Sequence, residues 1–250
     1  CSSDLGSGYV QRASPCVPAG HTTYGAGCYT ASGTVYELFA ANTIDLSNTK
    51  IHLIPNGVGG YTAVPGTGSN FVHTQSSLML TDDSVGTLIL PNTFTYPGGV
   101  TTAFDICSNG YIWMQSPNLL ADFSPTAAEL FSNPARLCPM WCDALPDGAT
   151  GINNVFAEVD VAANKAYVTW ANVPIFGGVG GNMDLQVEFF LGTGEIEIRY
   201  GTISCGNTAI VGWAPGTVST INAGSRDISA TLPGSFSTQL PEQLGLAMSA

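Results

Sequence analysis

Charge is scarce in this sequence. Asp, Glu, Lys and Arg make up 10% of the 250 residues, against about a quarter in an ordinary soluble domain, so the surface must be built largely from Thr, Ser, Asn and Gly. Such a surface needs little desolvation on contact and suits a protein that lies against neighbours or glycans. Basic residues are the scarcest: six Lys and Arg against eighteen Asp and Glu give a net charge of −12. That field repels phosphate backbones and anionic headgroups, which excludes nucleic-acid binding. It can instead attract divalent cations or keep an apolar chain soluble. No apolar run reaches the roughly 18 residues of a membrane-spanning helix, and no N-x-S/T sequon occurs.

Catalytic signatures are missing too. Histidine, the usual general base or metal ligand, appears only as His21, His52 and His73. There is no H-E-x-x-H, no G-x-S-x-G elbow and no phosphate loop. Gly177-Gly-Val-Gly-Gly181 is glycine-rich but lacks the lysine, so it reads as a flexible loop. Glu195 and Glu197 lie two apart in the spacing of an acid and base pair, yet Arg199 continues the row and makes a solvated, partly self-neutralised face the better reading. The expectation is a protein that is not an enzyme.

What the chain has is punctuation for many short strands: 30 Gly and 15 Pro along its whole length. From residue 77 the pattern is regular, with strands at 78–80, 87–90, 94–96, 104–107, 111–113, 155–161, 166–170, 185–191, 195–200 and 209–213. Asn109-Gly110 is the strongest hairpin signal, since both positions tolerate positive φ. Ile196, Ile198 and Tyr200 alternate with Glu195, Glu197 and Arg199, which predicts one buried and one wet face. Residues 117–150 read as a loop excursion over the sheet, with one short helix over 125–131. The fold class is therefore all-β, a β-sandwich of short antiparallel strands with irregular, disulfide-stapled loops. Its core includes Ile106, Ile112, Val168, Trp170, Val187, Phe189, Ile196, Ile198 and Val211. Three segments follow: a β- and turn-rich N-terminal extension packing on the core (1–76), the sandwich core (77–215) and an extended C-terminal segment (216–250).

Seven cysteines without paired C-x-x-C motifs favour disulfides in an oxidising compartment, hence an exported protein, extracellular or at the cell surface. Cys16–Cys28 and Cys138–Cys142 each close a short Gly/Pro-containing loop, and Cys107–Cys205 is the third expected pair. Seven is odd, and Cys1 is the natural residue to carry a lipid or an intermolecular bridge.

The middle of the chain resembles a known family. Ile106-Cys-Ser-Asn-Gly-Tyr-Ile112, Pro139-Met-Trp-Cys-Asp143, Ala166-Tyr-Val-Thr-Trp-Ala-Asn-Val173 with Phe176, Leu185-Gln-Val-Glu-Phe-Phe190, residues 195–200 with Gly201, and Val211-Gly-Trp213 follow the order seen in nidogen-like (NIDO) extracellular domains. Asp82-Asp83, Leu90-Pro91 and Tyr96-Pro-Gly-Gly99 look like the lead-in of related β-domains in large secreted bacterial surface proteins. The resemblance covers residues 78–215 and implies an all-β extracellular fold with a role in matrix or adhesion and no catalytic residues. Cys138 and Cys142 flanking Trp141 depart from the family pattern.

Asp82 and Asp83, and Asp143 with Asp147, are turn carboxylates with the hard oxygens that calcium takes, although Asp also caps turns through its own backbone. No other cofactor is expected. Trp141, between two cysteines in a loop, reads as the exposed tryptophan, a contact for glycans or partners. Leu244, Leu246 and Met248 form a terminal apolar strand that can add to a neighbour's sheet edge. The leading function is a structural or adhesive surface module that self-associates or binds other surface or matrix proteins. A carbohydrate-binding module is the first alternative and a secreted hydrolase the second.

Overall fold

The computed structural model describes residues 33–57, 59–68, 76–148, 151–216, 224–230, 232 and 234–236. Cys1, Cys16, Cys28, Leu244, Leu246 and Met248 lie outside the described residues, and so do the roles expected of them. The strands are β1 (Val35–Phe39), β2 (Lys50–Pro55), β3 (Tyr61–Pro65), β4 (Ser76–Ser77), β5 (Val85–Tyr96), β6 (Gly99–Cys107), β7 (Tyr111–Trp113), β8 (Arg136–Trp141), β9 (Val155–Asp160), β10 (Lys165–Pro174), β11 (Gly181–Phe190), β12 (Glu195–Tyr200), β13 (Ser204–Cys205), β14 (Ala209–Ala214) and β15 (Gly234–Phe236). One short helix, α1 (Ala127–Ser132), starts at Thr126, an N-cap whose hydroxyl accepts the Glu129 N–H at 3.2 Å and donates to the Glu129 carboxylate at 2.5 Å.

Two antiparallel sheets form. Sheet A runs β1-β14-β8-β7-β6-β5; sheet B runs β15-β3-β2-β12-β11-β10-β9-β4, with β13 also paired to β11. β1, β2 and β3, from the N-terminal segment, pair directly with these strands: β1 on β14 and β2 on β12. Strand alternation explains the layering. Ala157, Val168, Val187, Ile198 and Ile51 stand in one row across five strands of sheet B, and all point into the main core. Sheet A meets them with Phe94 and Phe104, whose rings pack on Phe189 at 5.5 and 4.2 Å, and with Trp213, edge-on to Tyr61 at 5.3 Å. All nine core residues expected from the sequence are buried.

The hairpin at Asn109-Gly110 joins β6 to β7 as its sequence predicts. Gly110 has φ 78°, and a Cβ there would collide with the Met140 carbonyl, so only glycine fits.

The outer faces differ from expectation. Behind sheet A, the loop after β7 and α1 bury a second apolar cluster that includes Tyr36, Trp113, Phe131, Cys138 and Trp141. On sheet B the row of Glu197 and Arg199 is not wet: both are buried, at 2% and 9% exposure, as is Glu188 at 2%. The turn after β3 covers them, with the N–H groups of Thr67 and Gly68 donating to the Glu197 carboxylate. Among the described residues no helix is long and apolar enough to cross a membrane.

Candidate functional site

Three loops converge at one end of sheet A. The turn before β5 carries Asp82 and Asp83 and is closed by Ser84, whose Oγ accepts the Thr81 N–H at 2.9 Å and donates to the Thr81 carbonyl at 2.8 Å. The hairpin turn carries Asn109, fully buried. Chain leaving β8 carries Asp143. Asn109 is the clamp: its Nδ2 donates to Asp83 at 2.8 Å, its Oδ1 accepts the Ala144 N–H at 3.0 Å, and its carbonyl accepts the Cys142 N–H at 3.1 Å.

This clamp brings carboxylate oxygens of Asp82, Asp83 and Asp143 within 4.8 Å of one another. The sequence pointed to Asp82 with Asp83 and, separately, to Asp143 with Asp147; Asp143, and not Asp147, joins the first two. Partial burial pushes the Asp143 carboxyl above its ordinary value, and the charges of Asp83 and Asp82 push the same way. Asp82 is raised by desolvation and then by Asp83. Calcium takes about six to eight oxygens, so three carboxylates supply part of a shell and leave the rest to water or a partner. Without a cation the trio is a repulsive cluster. Because the folded-state values lie above the ordinary carboxylate value, the folded protein holds the extra proton, and stability falls as pH rises through that window. Asp143→Asn should therefore raise the melting temperature at neutral pH by the equivalent of less than about 1 kcal/mol, as for other solvent-screened charge pairs. The gain should vanish below the window, which thermal melts at neutral pH and near pH 3 would check.

Beside the trio, Phe123, Ser124, Pro125, Asp143, Asn207 and Thr208 line an open hollow of about 390 Å³. Phe123 is 50% exposed there, and Leu119 and Leu120 are exposed on the same loop.

Trp141 does not occupy this surface. It is fully buried, a correction to the exposed position expected for it: it ends strand β8 instead of standing in a loop. Its indole N–H donates to the Asp122 carbonyl at 2.9 Å; Tyr111 Oη and Trp113 Nε1 both donate to the Leu120 carbonyl, at 2.7 and 3.0 Å. The buried aromatic trio thus holds up the loop that presents Phe123. Inside it sits Arg136, fully buried, its guanidinium 3.8 Å from the Trp141 ring centroid, 4.9 Å from Trp113 and 5.3 Å from Tyr111.

The four described cysteines are buried and free, so neither Cys138–Cys142, expected from loop spacing, nor Cys107–Cys205 is seen as a bond. Cys138 and Cys142 lie four positions apart on extended chain, about 13 Å and beyond disulfide reach, and a bulge between Cys138 and Trp141 also turns them to opposite faces. Cys138 faces the outer cluster with Cys107, while Cys142 faces the main core with Cys205. Each expected partner lies on the wrong side of sheet A.

Phe123, Asn109, Arg136 and Asn207 were not singled out from sequence as site residues. Only Asn109 carried a signal, its place in the hairpin turn, which tells of backbone conformation and not of the buried amide's three contacts.

A family model described as NIDO related matches residues 57–241. No curated protein matches, and no solved structure matches. The match reaches beyond residues 78–215 at both ends and takes in β3, β4 and β15.

Proposed function

The chain belongs to the NIDO-related family, and from that premise we propose that it is an exported, non-catalytic structural or adhesive module that assembles through the edge of sheet A. Family membership fits an extracellular, non-catalytic domain. The observation that carries the finer reading is β5. It is twelve residues long, Val-Gly-Thr-Leu-Ile-Leu-Pro-Asn-Thr-Phe-Thr-Tyr, without one charged side chain, and it ends its sheet. Among the described residues its only strand partner is β6. Edge strands are usually blunted by Lys or kept short, because an open row of N–H and C=O groups templates pairing with another chain. Here Pro91 and the register shift between Ile89 and Phe94 interrupt the second half. Residues 85–89 stay regular, with Ile89 69% exposed.

The proposed occupant is the apolar stretch 244–248 of a second copy, with Leu244, Leu246 and Met248 on alternate positions to set register. Head-to-tail addition of this kind gives an open fibre unless the rotation closes. Ile89→Lys, a charge on the edge, should weaken self-association by roughly tenfold or more, about 1.4 kcal/mol, and leave the monomer's melting temperature nearly unchanged. Sedimentation over a concentration series reads this directly. A wild-type protein that stays monomeric throughout rejects assembly.

One observation favours a second reading, a carbohydrate-binding module. The hollow offers a half-exposed aromatic ring, the carboxylate of Asp143, and the polar side chains of Asn207, Thr208 and Ser124, the mix of apolar face and orienting polar groups that suits a sugar. Binding on a glycan array, lost in Phe123→Ala and kept in Ile89→Lys, would favour it over assembly.

A further inference from the structure

We propose that Cys142 and Cys205 form a disulfide that ties the two sheets together beside the hollow when the protein folds in the presence of a disulfide oxidant. Cys142 follows the last residue of β8 in sheet A; Cys205 ends β13, which pairs with β11 of sheet B at Gly181. Asp143 and Asn207, one and two residues beyond them, line the same hollow, each thiol is the other's foremost electrostatic neighbour, and both are buried in the same core. Neighbouring sulfurs reach the bonded distance of about 2.05 Å by side-chain rotation where their Cβ atoms lie about 3.5–4.5 Å apart.

The backbones around them are held from both sides. The Cys142 N–H donates to Asn109, the Cys205 carbonyl accepts the Asn42 N–H at 2.7 Å, and the Gly206 N–H donates to Gly180 at 3.1 Å. Phe176 N–H donates to the Asp143 carbonyl at 3.0 Å, and Ala144 bridges Ile175, so the chain leaving β8 runs along the segment that leads into β11. The other described pair is placed differently. The Cys107 sulfur accepts the Asn109 N–H at 3.4 Å and meets the Ser108 hydroxyl at 4.0 Å, and burial pushes the Cys107 and Cys138 thiols up to about 11 and about 12. They remain thiols.

Chemically the step is thiol–disulfide exchange with a small disulfide such as oxidised glutathione. While the core is still open, Cys205 is exposed and a fraction of it is thiolate. That thiolate attacks the oxidant, giving a mixed disulfide and releasing one glutathione thiolate, which takes up a proton. Cys142 then loses its proton and attacks the Cys205 sulfur, and the second glutathione leaves. Two protein thiols and one glutathione disulfide become one protein disulfide and two glutathione thiols. Both sulfurs are buried once folding is complete, so the exchange takes place during folding.

The consequence falls on the hollow. Asp143 adjoins Cys142, and Asn207, whose backbone N–H donates to Cys205, follows two residues after it. Both line the hollow. The bridge would fix its two walls to each other and close a loop of 62 intervening residues, the numbering gap 205 − 142 less one.

The test is a thiol map of the full chain, refolded in a glutathione redox buffer, acid-quenched, alkylated and digested without reduction. The expected result is a cross-linked peptide pair holding Cys142 and Cys205, with Cys107 and Cys138 alkylated. Thiol reduction should lower the melting temperature by roughly 10 °C, and the double variant Cys142→Ser, Cys205→Ser should lose that component of the shift. Protein exported through an oxidising compartment and purified natively is mapped in the same way, so poor refolding leaves no gap. Folded protein in which Cys142 and Cys205 are alkylated, or joined to other cysteines, overturns the proposal.

Discussion

Arg199→Met should cost about 3–5 kcal/mol of folding stability in chemical denaturation, the range seen when one partner of a buried ion pair is removed. Arg199 lies on β12 between two acidic neighbours. Its Nε donates to Glu197 at 2.6 Å, its guanidinium pairs with Glu188, and Nη1 donates to Gln186 at 3.2 Å. Lys165 reaches the other oxygen of Glu188 at 2.5 Å but is 30% exposed at its side chain. Burial draws the Arg199 guanidinium down from its ordinary value, a desolvation cost that the two carboxylates offset. Removing the cation leaves both acids in place, under the turn at Gly66–Gly68, with too little charge to balance them. The cost belongs to the orphaned carboxylates more than to the lost contact. The triple variant Arg199→Met, Glu188→Gln, Glu197→Gln should therefore recover most of the loss, and a triple variant less stable than Arg199→Met would show that packing, not charge, accounts for the effect.

That site also marks where sequence reading stops. The inward residues Ile196 and Ile198 were legible because strand alternation is a local rule with period two. Whether the opposite row is wet depends on what lies over it, and the cover comes from a turn some 130 positions earlier that donates N–H groups to Glu197. No local pattern encodes that meeting. Cysteine spacing failed for a related reason: only three residues separate Cys138 from Cys142, but on extended chain the two stand about 13 Å apart, and the bulge between them moves Cys142 to the other face of the sheet. Trp141 sits in the same bulged stretch, so the flanking prolines and cysteines that made it look like a loop residue were reporting the bulge. At the carboxylate cluster the turn chemistry of Asp82-Asp83 was visible, while Asp143 joined only through the buried amide of Asn109. Low charge, by contrast, was legible, and one place where it shows is β5, twelve residues without a charged side chain.

Trp170→Ala should cost about 3–5 kcal/mol, as for other large-to-small changes of fully buried aromatics, and should disturb the carboxylate cluster although Trp170 touches none of its members. Trp170 is fully buried on β10, opposite Val155 of β9 and Leu185 of β11. Its indole N–H crosses to the other sheet, donating to the carbonyls of Cys107 and Ser108, each at 3.2 Å. Those carbonyls open the turn that carries Asn109, and Asn109 is what holds Asp83 and Ala144. Truncation to alanine thus removes core volume and also takes the indole donor from the buried Ser108 carbonyl at the base of the clamp, while the Cys107 carbonyl keeps the Gly110 N–H at 3.3 Å. Trp170→Phe separates the two losses: it keeps most of the ring packing but not the donor, and should cost roughly 1–3 kcal/mol, the penalty for one unsatisfied buried acceptor. If the chain of contacts is real, amide exchange at Ala144 and Cys142 should speed up in both variants, because both lose the support beneath Asn109. A Trp170→Phe protein with unchanged exchange at those two amides would show that the hairpin holds its own shape, and that Trp170 stabilises the sandwich through packing alone.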